Sequence, residues 1–217
     1  MAKSGVPSSP AAKGSERSAH TRRQFVDAAI ETLKSDGYAG ASARSIAQRA
    51  GLNQGLIFYH FGSVANLLLA ALDAVSEERL HLYGAEVSSV TSPFQLVDAA
   101  EGIFRNDLDA GYITVLVEMI AGASSTPGLG PEVASRIQPW REFAQSTIEA
   151  SLGNSPLSSV LPAKDVAHAV VALYLGLEML SHLDGESEPA LALFAHAKQL
   201  ATLVEALSAP TTPKEST

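Results

Sequence analysis

The chain has 217 residues, 46% of them hydrophobic, which is material for one large or two small domains with a buried core. It has no cysteine, and this excludes a disulfide framework, a thiolate metal site and a cysteine redox sensor. The net charge of −8 is divided unevenly: residues 1–64 hold eight Lys/Arg against four Asp/Glu, and the remainder hold seven against nineteen. A basic head on an acidic body attracts a polyanion at one end and repels it from the other.

Residues 1–18 are rich in Ser, Pro, Ala and Gly and have no apolar run. They are expected to form a disordered basic arm, and they lack the apolar core of a secretion signal. A first helix follows, with Phe25, Val26, Ala29, Ile30 and Leu33 at helical spacing and Gly37 as its expected C-cap.

Residues 42–61, SARSIAQRAGLNQGLIFYHF, read as two short helices joined by a tight turn. Ser42 is the expected N-cap of the first, with Ile46, Ala47 and Ala50 facing inward. Gly51 supplies the positive φ that reverses the chain. Asn53 is the expected N-cap of the second helix, which Ile57 and Phe61 anchor to the core. Its outward face then carries Gln54, Gly55, Leu56, Phe58, Tyr59 and His60. This is the arrangement of a helix-turn-helix, whose second helix lies against DNA. An ordinary helical hairpin is the competing account; capping, turn glycine and inward residues in one register favour DNA recognition.

From residue 64 onward the pattern is helical throughout. Ser63 caps a long helix with Leu67, Leu68, Ala71, Leu72 and Val75 on one face; Ser92-Pro93 starts the next, and Gly111 separates it from the apolar YITVLVEMIAGA. Pro131 is expected to open a helix through Trp140 and Phe143, kinked at Pro139. Two helices close the chain, with apolar stripes at Val166, Val170, Leu173, Leu177, Leu180 and at Leu193, Leu200, Leu203. The stretch 166–183 has the apolarity of a membrane span, but Glu178, His168 and His182 favour a buried bundle helix. Residues 209–217 read as a loose tail.

The arrangement from Arg22 to Leu68 resembles the N-terminal domain of the TetR family of bacterial transcriptional regulators. The matching residues are Ala28-Ala29, Gly37-Tyr38, Ser42, Ile46-Ala47, Ala50-Gly51-Leu52, Gly55, Tyr59-His60-Phe61 and Leu67. The resemblance implies an all-α fold. A three-helix helix-turn-helix domain (residues 19–64) would be followed by a helical-bundle ligand-binding and dimerisation domain (residues 65–208). It also implies that the last two helices form a four-helix homodimer interface, which the two apolar stripes suit. The family usually has a tyrosine where Phe58 stands and a lysine near Val64, both touching phosphates. Arg22, Arg23 and Arg44 are the candidates to compensate, and Ser42 is counted with them among the DNA-facing residues.

The resulting expectation is a cytoplasmic, non-enzymatic regulator. It would be a repressor, released from a palindromic double-stranded DNA operator by a small, largely apolar effector. The effector would be held by Phe104, Met119, Trp140, Phe143, Tyr174 and Glu178. No cofactor, metal site or membrane association is expected. The alternative from another class is a small-molecule-binding helical protein or enzyme without operator binding.

Overall fold

The structure is a computed structural model and describes residues 10–152 and 162–208. Among the described residues there are ten helices and no strand. The expected tail at 209–217 and residues 1–9 of the expected arm lie outside them. Residues 10–18 are not a disordered arm. They are the start of α1 (Pro10–Gly40). Pro10 suits a first helical position, and Ala, Lys, Glu and Arg in this stretch are good helix formers, which the count of Ser and Gly obscured.

Gly37 ends the long run of α1 as expected, with φ 69° and ψ −178°, and a short further helical stretch follows to Gly40. A side chain there would be strained by φ and would also meet Glu118, so the break needs glycine. Helix α2 (Ala43–Ala50) opens with Ser42 and Ser45 capping each other reciprocally and closes at Gly51. Helix α3 (Gly55–Phe61) is capped by Asn53 as expected: Gln54 already has helical φ and ψ, and Asn53 Oδ1 accepts the Gly55 N–H at 2.8 Å.

At seven residues α3 is too short to persist alone. Burial of Ile57 and Phe61 holds it, at about 2 kcal/mol each. Phe61 meets the Phe25 ring edge-on at 6.4 Å. These residues belong to one continuous cluster: Phe25, Ala29 and Leu33 of α1 pack with Ile46, Ile57 and Leu67, and onward with Ile113 and Met119.

Helix α4 (Val64–Val87) starts at Ser63 and runs from the head into the body. The body continues with α5 (Pro93–Ala110), α6 (Tyr112–Ala123), α7 (Leu129–Arg136) and α8 (Gln138–Leu152). The expected kinked helix is thus two helices. Pro139 follows the break and sits at the start of α8, where a missing N–H costs little. Helix α9 (Ala163–Asp184) packs on α8, and α10 (Glu188–Ser208) packs on α5.

Helix α9 is not the buried helix the sequence suggested. It is long and apolar enough to cross a membrane, yet only 17% of its apolar window is buried. Val170, Leu173, Leu180 and Leu183 face outward, beside Leu193, Leu200 and Leu203 of α10. Hydropathy measures how apolar a helix is, not which molecule covers it.

The head is locked to the body chiefly through α6. The Tyr38 N–H donates to Glu118 Oε2 at 2.7 Å, and the Tyr38 hydroxyl pairs with Thr126 Oγ1 at 2.9 Å. Lys34 Nζ donates to the Ala110 carbonyl at 3.1 Å. The Tyr38 ring lies flat against the backbone of Gly122, where a Cβ would come within 2.4 Å of it. An alanine at 122 would gain up to ~1 kcal/mol in helix propensity but overpack by about 1–3 kcal/mol. Gly122→Ala is therefore expected to lower the thermal midpoint through a net loss of about 1–2 kcal/mol. An unchanged midpoint would show that Tyr38 yields freely.

A candidate DNA interface and a candidate ligand cavity

The geometry of α3 follows from its two anchors. With Ile57 and Phe61 inward, the residues between them must face out. Tyr59 is 80% exposed and Phe58 52% exposed, and Leu56, Gln54 and Gly55 are also exposed. His60 is half-buried, its ring edge-on to Tyr59 at 4.9 Å. Ser42 and Arg44 are exposed at the start of α2, and Arg23 is exposed on α1.

Arg22 has a structural partner. Its Nη1 donates to the His60 carbonyl at 2.9 Å, and its guanidinium stacks on Phe61 at 4.3 Å. A cation at the C-terminus of α3 is favourable for the helix dipole. Arg49, which the sequence reading passed over, is similarly engaged: it donates to Thr32, Ser35 and Asp36 and ties α2 to α1.

The body contains a cavity of about 310 Å³, lined mainly by apolar side chains from α4 to α10. Of the six residues expected to hold an effector, Trp140, Phe143 and Tyr174 line it, and Phe104, Met119 and Glu178 do not. Phe104 backs Tyr174 edge-on at 5.9 Å and touches Phe194, while Met119 is fully buried in the cluster that joins head and body. Both occupy inward positions on their helices, but inward there means core. Glu118 is likewise spent on Tyr38 rather than on the cavity. His182 lies on the surface.

One polar cluster interrupts the apolar wall. Asp107 is fully buried and accepts from four donor groups. Arg79 grips it bidentately through Nε at 2.9 Å and Nη2, the Tyr83 hydroxyl donates at 2.7 Å, and the Tyr174 hydroxyl at 2.8 Å. The other side of Arg79 stacks on Trp140 at 4.3 Å, and the indole N–H donates to Ser76 at 2.8 Å. Burial opposes the charge of Arg79, but the Asp107 carboxylate outweighs it and holds the guanidinium above its ordinary pKa.

Glu178 completes the cluster, with Oε1 3.9 Å from Arg79 Nη2. It is fully buried, and neither oxygen has a hydrogen-bond partner among the described residues. Burial pushes its pKa well above the carboxylate range; Arg79 opposes this, and the negative charge of Asp107 adds to it.

Sequence reading flagged Tyr174 and Glu178 but missed Arg79, Tyr83 and Asp107. A signal was present. The buried stripe Leu68, Leu72, Val75 of α4 continues at helical spacing through Arg79, Tyr83 and Val87, so a cation stands at a core position.

Helix α6 touches both sites. Tyr112 and Leu116 line the cavity, while Glu118 and Gly122 hold Tyr38. It is the element shared between the cavity and the base of the head.

Comparison with known proteins agrees with this architecture. Residues 25–71 match the family described as bacterial regulatory proteins, tetR family. An uncharacterised HTH-type transcriptional regulator of Mycobacterium tuberculosis is 31% identical over 109 residues, covering 50% of this chain and 55% of that protein. The chain thus spans about half the length of the curated relatives it matches. A TetR-family transcriptional regulator from Cytophaga hutchinsonii has the same fold, with TM-score 0.71, 17% identity, and coverage of 86% of this chain and 95% of that one. So does the transcriptional regulator FadR from Bacillus subtilis in complex with stearoyl-CoA, with TM-score 0.69, 14% identity, and coverage of 82% and 96%. Residues 25–71 thus match the head of the tetR family of bacterial regulatory proteins, and the all-helical body has the fold of solved structures that carry such a head.

Proposed function

We propose that this chain is a cytoplasmic, homodimeric transcriptional repressor that leaves a palindromic operator when a small, largely apolar molecule fills the body cavity. The observation that carries the reading is the outward face of α3. A seven-residue helix pinned by two buried residues presents Tyr59, Phe58, Leu56 and Gln54 to solvent, on the basic end of an acidic chain. A soluble head has no reason of its own to expose that much apolar and aromatic surface on one short helix. The match of residues 25–71 to the family's head supports this reading over an enzyme that merely carries a similar hairpin.

The homodimer is supported by the outward apolar face of α9 and α10. Helix-turn-helix heads read two half-sites on one face of the duplex, which requires two copies held at fixed spacing. The effector is supported by the apolar cavity and by α6, which meets both the cavity and Tyr38. A ligand shifts the equilibrium only if it prefers the non-binding arrangement of the heads. FadR of Bacillus subtilis, which shares the fold, holds stearoyl-CoA.

Selection of bound duplexes from a random pool, with and without cell extract, tests the reading. An enriched palindrome that disappears with extract is expected, and no enrichment would overturn operator recognition. On the selected site, Tyr59→Ala should leave the dimer folded and weaken binding by about 1–3 kcal/mol, the scale of a groove contact. Equal affinity of a folded variant would remove α3 from the interface. The double substitution Leu180→Glu and Leu203→Glu places charges on the outward face of α9 and α10. It should yield monomers in sedimentation with helix content retained, and a persistent dimer would place the interface elsewhere.

A further inference from the structure

The balance of charge around the cavity indicates what kind of molecule it takes. Two guanidinium groups line it, and both are already engaged. Arg79 is bound bidentately by Asp107, and Arg136 is paired with Asp73 and Glu132. No lining cation is left free for an anionic guest among the described residues. The carboxylates are in the opposite position. Asp107 has four donor contacts, while Glu178, fully buried and one turn beyond Tyr174 on the same face of α9, has none among the described residues. One guanidinium thus serves two carboxyl groups, and one carboxyl group is orphaned directly behind the wall that Arg79 and Tyr174 form.

We propose, building on the ligand-responsive reading above, that the cavity takes a largely apolar guest bearing one positive charge, which Glu178, outside the lining, balances across the Tyr174–Arg79 wall. The apolar lining accepts the chain of such a guest, and the faces of Phe143 and Tyr174 accept its charged end by cation–π attraction. With the guest bound, two positive and two negative charges alternate. An anionic guest would instead leave the cluster with an uncompensated negative charge in a low-dielectric site, where that is most costly.

In the empty cavity burial raises the pKa of Glu178 well above the ordinary carboxylate range, which favours its neutral form. Its surroundings are Arg79 and Tyr83 from α4, Asp107 from α5, Tyr112 from α6 and Tyr174 from α9. The phenols of Tyr83, Tyr112 and Tyr174 are all held above their ordinary pKa, first by burial, and Arg79 is held charged. Glu178 is the carboxyl group of this cluster without a hydrogen-bond partner among the described residues, and so the one able to exchange its proton for a guest cation.

The test is calorimetric titration of the full-length protein with three chain-matched probes below their micelle concentrations: decyltrimethylammonium, decanol and decanoate. The cation should bind tightest. Its uptake should release up to about one proton, read by repeating the titration in buffers of different ionisation enthalpy. Glu178→Gln, checked for helix content and dimerisation, should cut the preference for the cation over the alcohol by about tenfold or more, the scale of one charge pair away from water. Proton release is measured on the unaltered chain, so it stands even if the variant fails to fold. Decanol or decanoate binding as tightly as the cation, an unchanged preference in a folded Glu178→Gln variant, or cation uptake without proton release would each overturn the charge assignment alone. Failure of all three probes to bind would overturn the cavity as an effector site along with it.

Discussion

A single buried carboxylate organises the body of this protein. Asp107 on α5 draws Arg79 and Tyr83 from α4 and Tyr174 from α9, and through Arg79 it fixes the face of Trp140 on α8. Four helices are thereby referred to one point. An ion pair removed from water is a weak source of net stability, because desolvation offsets much of the attraction. Its value here is positional. The walls of an apolar cavity have few directional contacts to set their spacing, and Asp107 supplies them. Without such a point, a bundle this rich in Leu, Val and Ala would close over the space by rotamer changes.

The second constraint is the junction between head and body. The core of the head does not stop at the end of the helix-turn-helix. It runs through Leu67, Leu68 and Leu72 into Ile113, Met119 and Leu129 without a gap. Tyr38 adds direction to that apolar continuity: its amide and hydroxyl are both bonded, and its ring has no clearance over Gly122. Packed cores move between discrete arrangements rather than deforming smoothly. A shift of α6 is therefore felt by α1 as a repacking of Tyr38.

The head was legible in the sequence because its signals are local. Caps, a turn glycine and two inward residues lie within twenty positions, and each has a short-range physical meaning. Gly37 and Asn53 act where these local signals place them; what the sequence did not carry is that Gly37 also leaves room for Glu118. The body was legible as helices but not as a site. Phe104 and Met119 cannot be told from Trp140 and Phe143 by periodicity, because a core and a cavity wall select the same side chains. Which positions face a void depends on residues far apart in the chain, such as Trp140 and Ser76, separated by 64 positions. The partners of Asp107 were hidden for the same reason, although Arg79 at an inward position was a readable warning. The helical start of α1 was obscured by composition, since Ser and Gly counted for more than the Ala, Lys and Arg between them.

Val170, Leu173 and Leu193 stand in two places at once. They line the cavity, and they lie on the outward apolar face of α9 and α10. The cavity wall and the outer face are therefore, in part, the same side chains seen from two directions. A substitution at any of the three alters the volume offered to a guest and the surface offered to a neighbour together. Variation that retunes one property at these positions drags the other with it. Independent adjustment is left to Trp140 and Phe143 on the inner side and to Leu180, Leu200 and Leu203 on the outer.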